Sequence, residues 1–205
     1  MQVILHSIPA GGTFDDLLLM PRQELVHDWY GDDVTPPLEF AMASDGSSLW
    51  VLASRAAEAA TQPGSEPGQM WPKPLCDYDV AEFFIADAEE PRYFEFHLAP
   101  NGAWWYGYFK GVREADEALN AETPQGVEMA TRPREGGWLV MARIPQQDIR
   151  GLDLAHARVA MTSILETPEY RYLTTADRLE GEPDFHRPGD WAMLLARPGI
   201  PGISA

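Results

Sequence analysis

The 205-residue sequence has one cysteine, Cys76, so no intramolecular disulfide and no cysteine-based zinc cluster can form, and a reducing cytoplasm suits the chain. Positive charge is scarce: 15 Lys and Arg stand against 32 Asp and Glu, a formal charge of −17. Polyanions are held by clustered cations that release counterions, so neither nucleic acid nor an anionic membrane surface is an expected partner. No run approaches the ~20 apolar residues of a membrane span. Met1 to Phe14 lacks a basic segment followed by an apolar stretch, so no secretory signal is expected. Also missing are a Gly-x-Ser-x-Gly elbow, a phosphate loop of the Walker kind and a Gly-x-Gly-x-x-Gly turn. The histidines, His6, His27, His97, His156 and His186, show no pairing at metal-ligand spacing; a distant pair such as His97 and His186 could still meet in space.

What is present describes a globular chain. Hydrophobic residues make up 45% and charged residues 23%, enough apolar matter for a sizeable core in a single domain spanning 1–205. Eighteen prolines and seventeen glycines cut the sequence into short pieces, and no long stretch repeats at helical spacing. Strands are expected at Leu38 to Ala43, Ser48 to Ser54, Val80 to Ile85, Tyr93 to Leu98, Trp104 to Phe109, Val127 to Thr131, Gly137 to Ile144, Ala157 to Leu165, Tyr170 to Thr174 and Trp191 to Ala196. Ser44-Asp45-Gly46, Pro100-Asn101-Gly102 and Glu135-Gly136-Gly137 read as hairpin turns. The result is an all-β, antiparallel sandwich. Helical turns are minor, at Asp15 to Met20, Arg55 to Thr61 and after Pro145. Of two long connections, Thr61 to Pro74 reads as the ordered rim of a site, and the acidic Val112 to Pro124 as a mobile surface loop.

Period-two alternation sorts the chemistry. In Val80 to Ile85, Ala81, Phe83 and Ile85 share one face and Val80, Glu82 and Phe84 the other, so Glu82 sits among apolar neighbours. A carboxylate there needs a partner or a ligand. Two readings stand: an internal ion pair with Arg143, or a ligand contact. In Tyr93 to Leu98, Tyr93, Glu95 and His97 share the face opposite Phe94, Phe96 and Leu98. Trp104, Tyr106 and Tyr108 oppose Trp105 and Phe109 on the next strand. The second aromatic face is either cross-strand packing or a recognition surface. Trp71 in the Pro/Gly loop is either a stacking platform or a loop anchor. Rings beside carboxylates suit a neutral polyol, whose C–H face packs on an aromatic while its hydroxyls bond at the rim, or a cation held against aromatic faces. Glu82 and Glu95 could also serve glycoside hydrolysis if suitably separated. No cofactor is expected beyond a structural calcium on loop carboxylates.

Several blocks in order carry a family likeness: Met70-Trp71, Cys76, Glu82-Phe83-Phe84-Ile85, then Tyr93-Phe94-Glu95-Phe96-His97-Leu98-Ala99-Pro100-Asn101-Gly102-Ala103-Trp104. Gly107 to Arg113, Ser163 to Glu166, Tyr170 to Tyr172 and Pro183-Asp184-Phe185-His186-Arg187-Pro188 continue it. Together, over about residues 38–196, they resemble the bacterial DOMON-like domain family, part of the wider group of family-nine carbohydrate-binding modules. The resemblance implies a jelly-roll-like sandwich with a ligand site on one concave sheet, where two aromatics sandwich terminal sugars and a carboxylate reaches their hydroxyls. Carried over, Glu82 is the carboxylate, and Phe185 and Trp71 are the aromatics. Related DOMON domains bind haem through Met and His; no such pair aligns here, so haem is not expected.

The expectation is thus a non-catalytic binding module for a carbohydrate or other neutral or cationic small ligand. Its candidate ligand-binding residues are Trp71, Glu82, Glu95, His97, Arg143, Phe185 and His186. Two alternatives remain: an enzyme using the same hollow with Glu82 or His97 as general acid or base, and an interaction protein whose aromatic face is buried in a homodimer.

Overall fold

Short β-branched and aromatic runs, each closed by Gly, Asn or Pro, form strands in the computed structural model, which describes residues 1–87, 91–149, 152, 154, 156–177 and 180–196. In chain order these are β1 Val3–Ser7, β2 Gln23–His27, β3 Asp33–Ser44, β4 Ser48–Arg55, β5 Val80–Asp87, β6 Tyr93–Leu98, β7 Trp104–Gly111, β8 Glu114–Ala115, β9 Glu128–Thr131, β10 Trp138–Pro145, β11 Ala157–Leu165, β12 Arg171–Thr174 and β13 Ala192–Ala196. Two short helices, α1 Phe14–Leu18 and α2 Glu117–Asn120, and 3-10 turns at Gln146–Ile149 and Pro188–Asp190 complete it. No helix among the described residues is long and apolar enough to cross a membrane.

The strands form one strongly curled sheet in the order β8-β7-β6-β5-β11-β13-β1-β3-β4-β10-β9, with β12 added to β11 and β2 to β3. Curling brings two layers face to face. Ala81, Phe83 and Ile85 of β5 and Phe94, Phe96 and Leu98 of β6 meet Phe40 and Met42 of β3, Leu49 and Val51 of β4, and Val140 and Ala142 of β10 in the central core. All three expected turns join hairpins: Gly46, Gly102 and Gly136 take φ of 83°, 89° and 63° between β3 and β4, β6 and β7, and β9 and β10.

The sheet is mixed where an antiparallel one was expected. β1 runs parallel to both β13 and β3 and so links the two layers. Its five residues, Val-Ile-Leu-His-Ser, are too short and too evenly apolar to alternate, and β2 is hidden for the same reason of length. The Arg55 to Thr61 segment is not helical. Arg55 ends β4, paired with Leu38 and Trp138, and the chain beyond is tied to Asp79 by Asp79 N–H to Ala60 O at 3.1 Å and Ala60 N–H to Asp79 Oδ2 at 2.8 Å. The acidic Val112 to Pro124 connection is likewise anchored. Asn120 on α2 accepts from Tyr108 N–H at 2.8 Å and donates to Tyr108 O at 2.9 Å, imitating a strand edge along β7.

Both outer faces are covered as well. α1 and its neighbours lay Ile8, Leu17 and Met20 over Ala41, Trp50, Leu52 and Met141. On the opposite side, loops bring Trp29, Leu75, Phe185 and Trp191 onto Val80, Phe84, Tyr93 and Ala160. The second aromatic face is therefore roofed, except where the roof leaves a hollow.

Candidate functional site

Strand register assembles the hollow's floor. Glu82 of β5 lies opposite His97 of β6 and Thr162 of β11, and His97 lies opposite Trp105 of β7. One residue row further, Glu95 faces Phe84 on one side and Gly107 on the other. All these side chains point outward, away from the central core, as the alternation predicts. Gly107 is the gap that makes the row work: a Cβ there would stand 2.6 Å from a ring carbon of Trp105 and 2.9 Å from one of Phe109. Without it, the two rings close over the strand.

The floor is a hydrogen-bonded triad. His97 Nε2 lies 2.7 Å from Glu95 Oε1 and 3.3 Å from Glu82 Oε1, and Thr162 Oγ1 donates to Glu82 Oε2 at 3.0 Å. The residues are only 1% to 5% exposed. The backbone N–H of Leu75 donates to His97 Nδ1 at 3.1 Å, which fixes the tautomer: the imidazole proton sits on Nε2, hydrogen-bonded to Glu95 Oε1 with Glu82 Oε1 close beside it. His186 is anchored as well. Arg113 N–H donates to the Tyr93 oxygen at 3.1 Å, and the Tyr93 hydroxyl is hydrogen-bonded to His186 Nδ1 at 2.7 Å, which sets His186 Nε2 3.9 Å from Glu95 Oε2.

Burial dominates the electrostatics. It pushes the Glu82 and Glu95 carboxyls up to about 7 each, with the neighbouring carboxylate adding to the effect at Glu82, so the pair titrates as one unit. Burial lowers both His97 and His186, and it raises the Tyr93 hydroxyl to about 12. At neutral pH the two imidazoles are uncharged and the two carboxyls compete to keep a proton.

Three loops wall the hollow. Before β5, the chain is pinned to the β6–β7 turn by Trp71 N–H to Trp104 O at 2.7 Å, Trp104 N–H to Gln69 O at 3.0 Å and Asn101 Nδ2 to Ser65 Oγ at 2.9 Å, which sets Pro74 and Cys76 at the edge. After β7, Arg113 forms the rim and pairs with Asp184 at 2.7 Å. Before β13, Pro183, Phe185 and His186 close the far side, with the Asp184 carboxylate accepting from His186 N–H at 3.0 Å. The open hollow is about 410 Å³, with Trp105, Phe109, Tyr172 and Phe185 as its aromatic walls and Glu82, Glu95, His97 and His186 among its polar groups.

Five of the seven residues expected from sequence, Glu82, Glu95, His97, Phe185 and His186, thus line one cavity. Two do not. Arg143 does share a face with Leu139 and Met141, but that face is the outside of the opposite layer; there Arg143 pairs with Glu128 at 2.6 Å and lies 5.5 Å from the centre of the Trp50 ring. The Glu82–Arg143 pair does not exist. Trp71 lines an adjoining groove of about 320 Å³ with Lys73 and Tyr106, and Pro74 and Trp105 stand between it and the cavity. Gly107, Tyr93 and Arg113 were not among the candidate site residues. Tyr93 was already visible on the face of Glu95 and His97, and Gly107 as the small residue between two rings in Trp105-x-Gly107-x-Phe109.

Among the described residues, Glu82, Glu95 and His97 are a set whose ligand-type atoms approach within 4.8 Å of one another. A cation on His97 Nε2 would force the ring proton onto Nδ1, against the Leu75 N–H. The geometry suits a shared proton and not a metal ion.

No family model matches the chain, and no curated protein does. Solved structures do. A candidate carbohydrate-binding protein from Bacteroides uniformis is 15% identical with a TM-score of 0.72, over 96% of this chain and 99% of that one. A family-nine carbohydrate-binding module from Caldicellulosiruptor kristjanssonii, solved with cellotriose, is 11% identical with a TM-score of 0.62, over 100% and 98%. The module from that organism solved with glucose gives 11% and 0.59, over the whole of both chains. At these identities the likeness is one of architecture: this chain has the curled β fold of the family-nine carbohydrate-binding modules.

Proposed function

We propose that the chain is a non-catalytic carbohydrate-binding module, of the DOMON-like kind that its sequence blocks resemble, which takes a sugar into the hollow above Glu82, Glu95 and His97. The observation that carries this reading is the composition of that cavity: rings on its walls and hydrogen-bonding groups on its floor. A sugar ring lays its C–H face on Trp105 or Phe185 and turns hydroxyls to Glu95, Glu82 and His186 Nε2. Because the floor is built on paired strands, little ordering cost attends binding. The two carboxyls crowd the same His97 Nε2, at 2.7 and 3.3 Å, and do not flank a gap, as glycoside hydrolysis would require, so the reading is recognition and not cleavage.

Tryptophan fluorescence titrated with glucose, cellotriose and a panel of other mono- and oligosaccharides tests it. At least one neutral sugar is expected to give a saturable change, and Glu82→Gln is expected to weaken that binding by about 1–3 kcal/mol through loss of charge-assisted hydrogen bonds. A flat response across the panel overturns the proposal.

A further inference from the structure

The cavity floor carries two carboxyl groups and no permanent cation. His97 is held neutral by the Leu75 N–H on its Nδ1, burial disfavours the charged form of His186, and the Arg113 guanidinium is engaged at the rim with Asp184. Glu95 Oε2 accepts no hydrogen bond among the described residues, although Glu95 is 95% buried; it stands at the cavity and 3.9 Å from His186 Nε2. A carboxylate oxygen that opens into so sheltered a hollow is stabilised by a positive group placed there. The aromatic walls, Trp105, Phe109, Tyr172 and Phe185, offer ring faces that attract a cation, and the chain's charge of −17 draws cations in.

From this geometry we infer that the site selects a sugar carrying a free amine, whose ammonium group sits against the Glu82 and Glu95 carboxylates. The inference rests on the carbohydrate reading above and specifies its ligand class. The ammonium donates to Glu95 Oε2 and Glu82 Oε1, the ring packs on Trp105 or Phe185, and the remaining hydroxyls face His186. An N-acetylated sugar lacks the charge and places an amide methyl beside two carboxyls. A metal ion is disfavoured by the Leu75 N–H on His97 Nδ1, as argued for the floor.

Proton exchange makes the inference testable on the protein as it stands. The ionisable groups facing the pair are His97 from β6, His186 and Asp184 from the loop before β13, Arg113 after β7, Tyr93 on β6 and Cys76 before β5. Because burial raises both carboxyls toward neutrality, uptake of an ammonium beside them should expel protons.

Isothermal calorimetry at pH 7.0 in two buffers of different ionisation enthalpy, with glucosamine, glucose and N-acetylglucosamine and with their β-1,4-linked trimers, reads both quantities. The amine form is expected to bind about 10-fold or more tighter than its neutral counterparts, with net proton release, and Glu95→Gln is expected to bring that ratio close to one. Equal affinity for amine and neutral sugars, or tighter binding of the N-acetyl form, overturns the inference and leaves the carbohydrate reading standing. Binding by none of the sugars overturns both. A thermal shift with Zn²⁺ or Ca²⁺ larger than that with the amines also overturns it, in favour of a cation site. The ratio and the proton release are measured on the unaltered chain, so the test survives a variant that does not fold.

Discussion

Glu82→Gln probes the proton-sharing floor. Glu82 is 2% exposed and its carboxyl titrates near 7 in place of 4.5. Holding on to that proton is worth about 3 kcal/mol. The sign follows from the direction of the shift. Below pH ~4.5 the carboxyl is protonated in folded and unfolded chains alike and its contribution is fully present; as pH rises through 7 the folded chain must ionise it in the dark of the sheet, and that contribution is lost. A glutamine keeps the shape: its oxygen accepts from the His97 Nε2–H and its amide donates to Thr162 Oγ1. Near pH 4.5 the variant should melt close to the original protein. At pH 8 it should gain up to about 3 kcal/mol relative to it, a rise in Tm of roughly 6–12 °C for a chain of this size. The neutral, buried states of His97 and His186 oppose the trend in both proteins and largely cancel in the difference. Differential scanning fluorimetry across pH 4.5–8.5 reads the result. A variant that is less stable at pH 8 than at pH 4.5, relative to the original, would show Glu82 ionised against an imidazolium and refute the shared proton.

Trp105→Ala removes the ring that divides the cavity from the Trp71 groove, and should weaken sugar binding by ~1–2 kcal/mol in a calorimetric titration; unchanged affinity would place the sugar elsewhere. Gly107→Ala drives a methyl against Trp105 and Phe109, so an overpacking loss of ~1–3 kcal/mol in denaturant melts and a narrowed site are expected; unchanged stability would contradict the close approach. Burial, and then the Glu82 charge, raise the exposed Cys76 thiol at the cavity edge. Its reaction with a thiol reagent at neutral pH should therefore be slow, and slower still with a saturating sugar present; fast labelling indifferent to sugar would count against the site.

Much of the floor was legible because sheets make period-two patterns honest. Alternation put Glu95 and His97 on the outer face of their strand, separated Glu82 from Ala81, Phe83 and Ile85, and set Trp105 with Phe109; register then made Glu82 and His97 neighbours. The same logic failed for Arg143, since alternation says which face a residue takes within its strand but not which layer the strand joins; β10 belongs to the layer opposite β5. Nor could it foresee that loops would bury the second face. Leu75, Trp29 and Phe185 reach it through connections whose path depends on tertiary contacts, such as Trp29 Nε1–H to Gly181 O at 2.9 Å. β1 escaped notice because a run of five residues, three of them consecutive and apolar, has no measurable period, and its parallel pairing joins segments far apart in sequence.

The central claim, that a sugar enters the hollow over the Glu82–His97–Glu95 floor, is tested most directly by following the seven tryptophan indole N–H signals in ¹H–¹⁵N spectra while cellotriose or its amine-bearing counterpart is added. The account predicts a saturable shift of the Trp105 signal with Trp50 and Trp138, which lie in the opposite layer, unmoved. No shift at Trp105 at saturation, or shifts centred on Trp50 and Trp138, would contradict it.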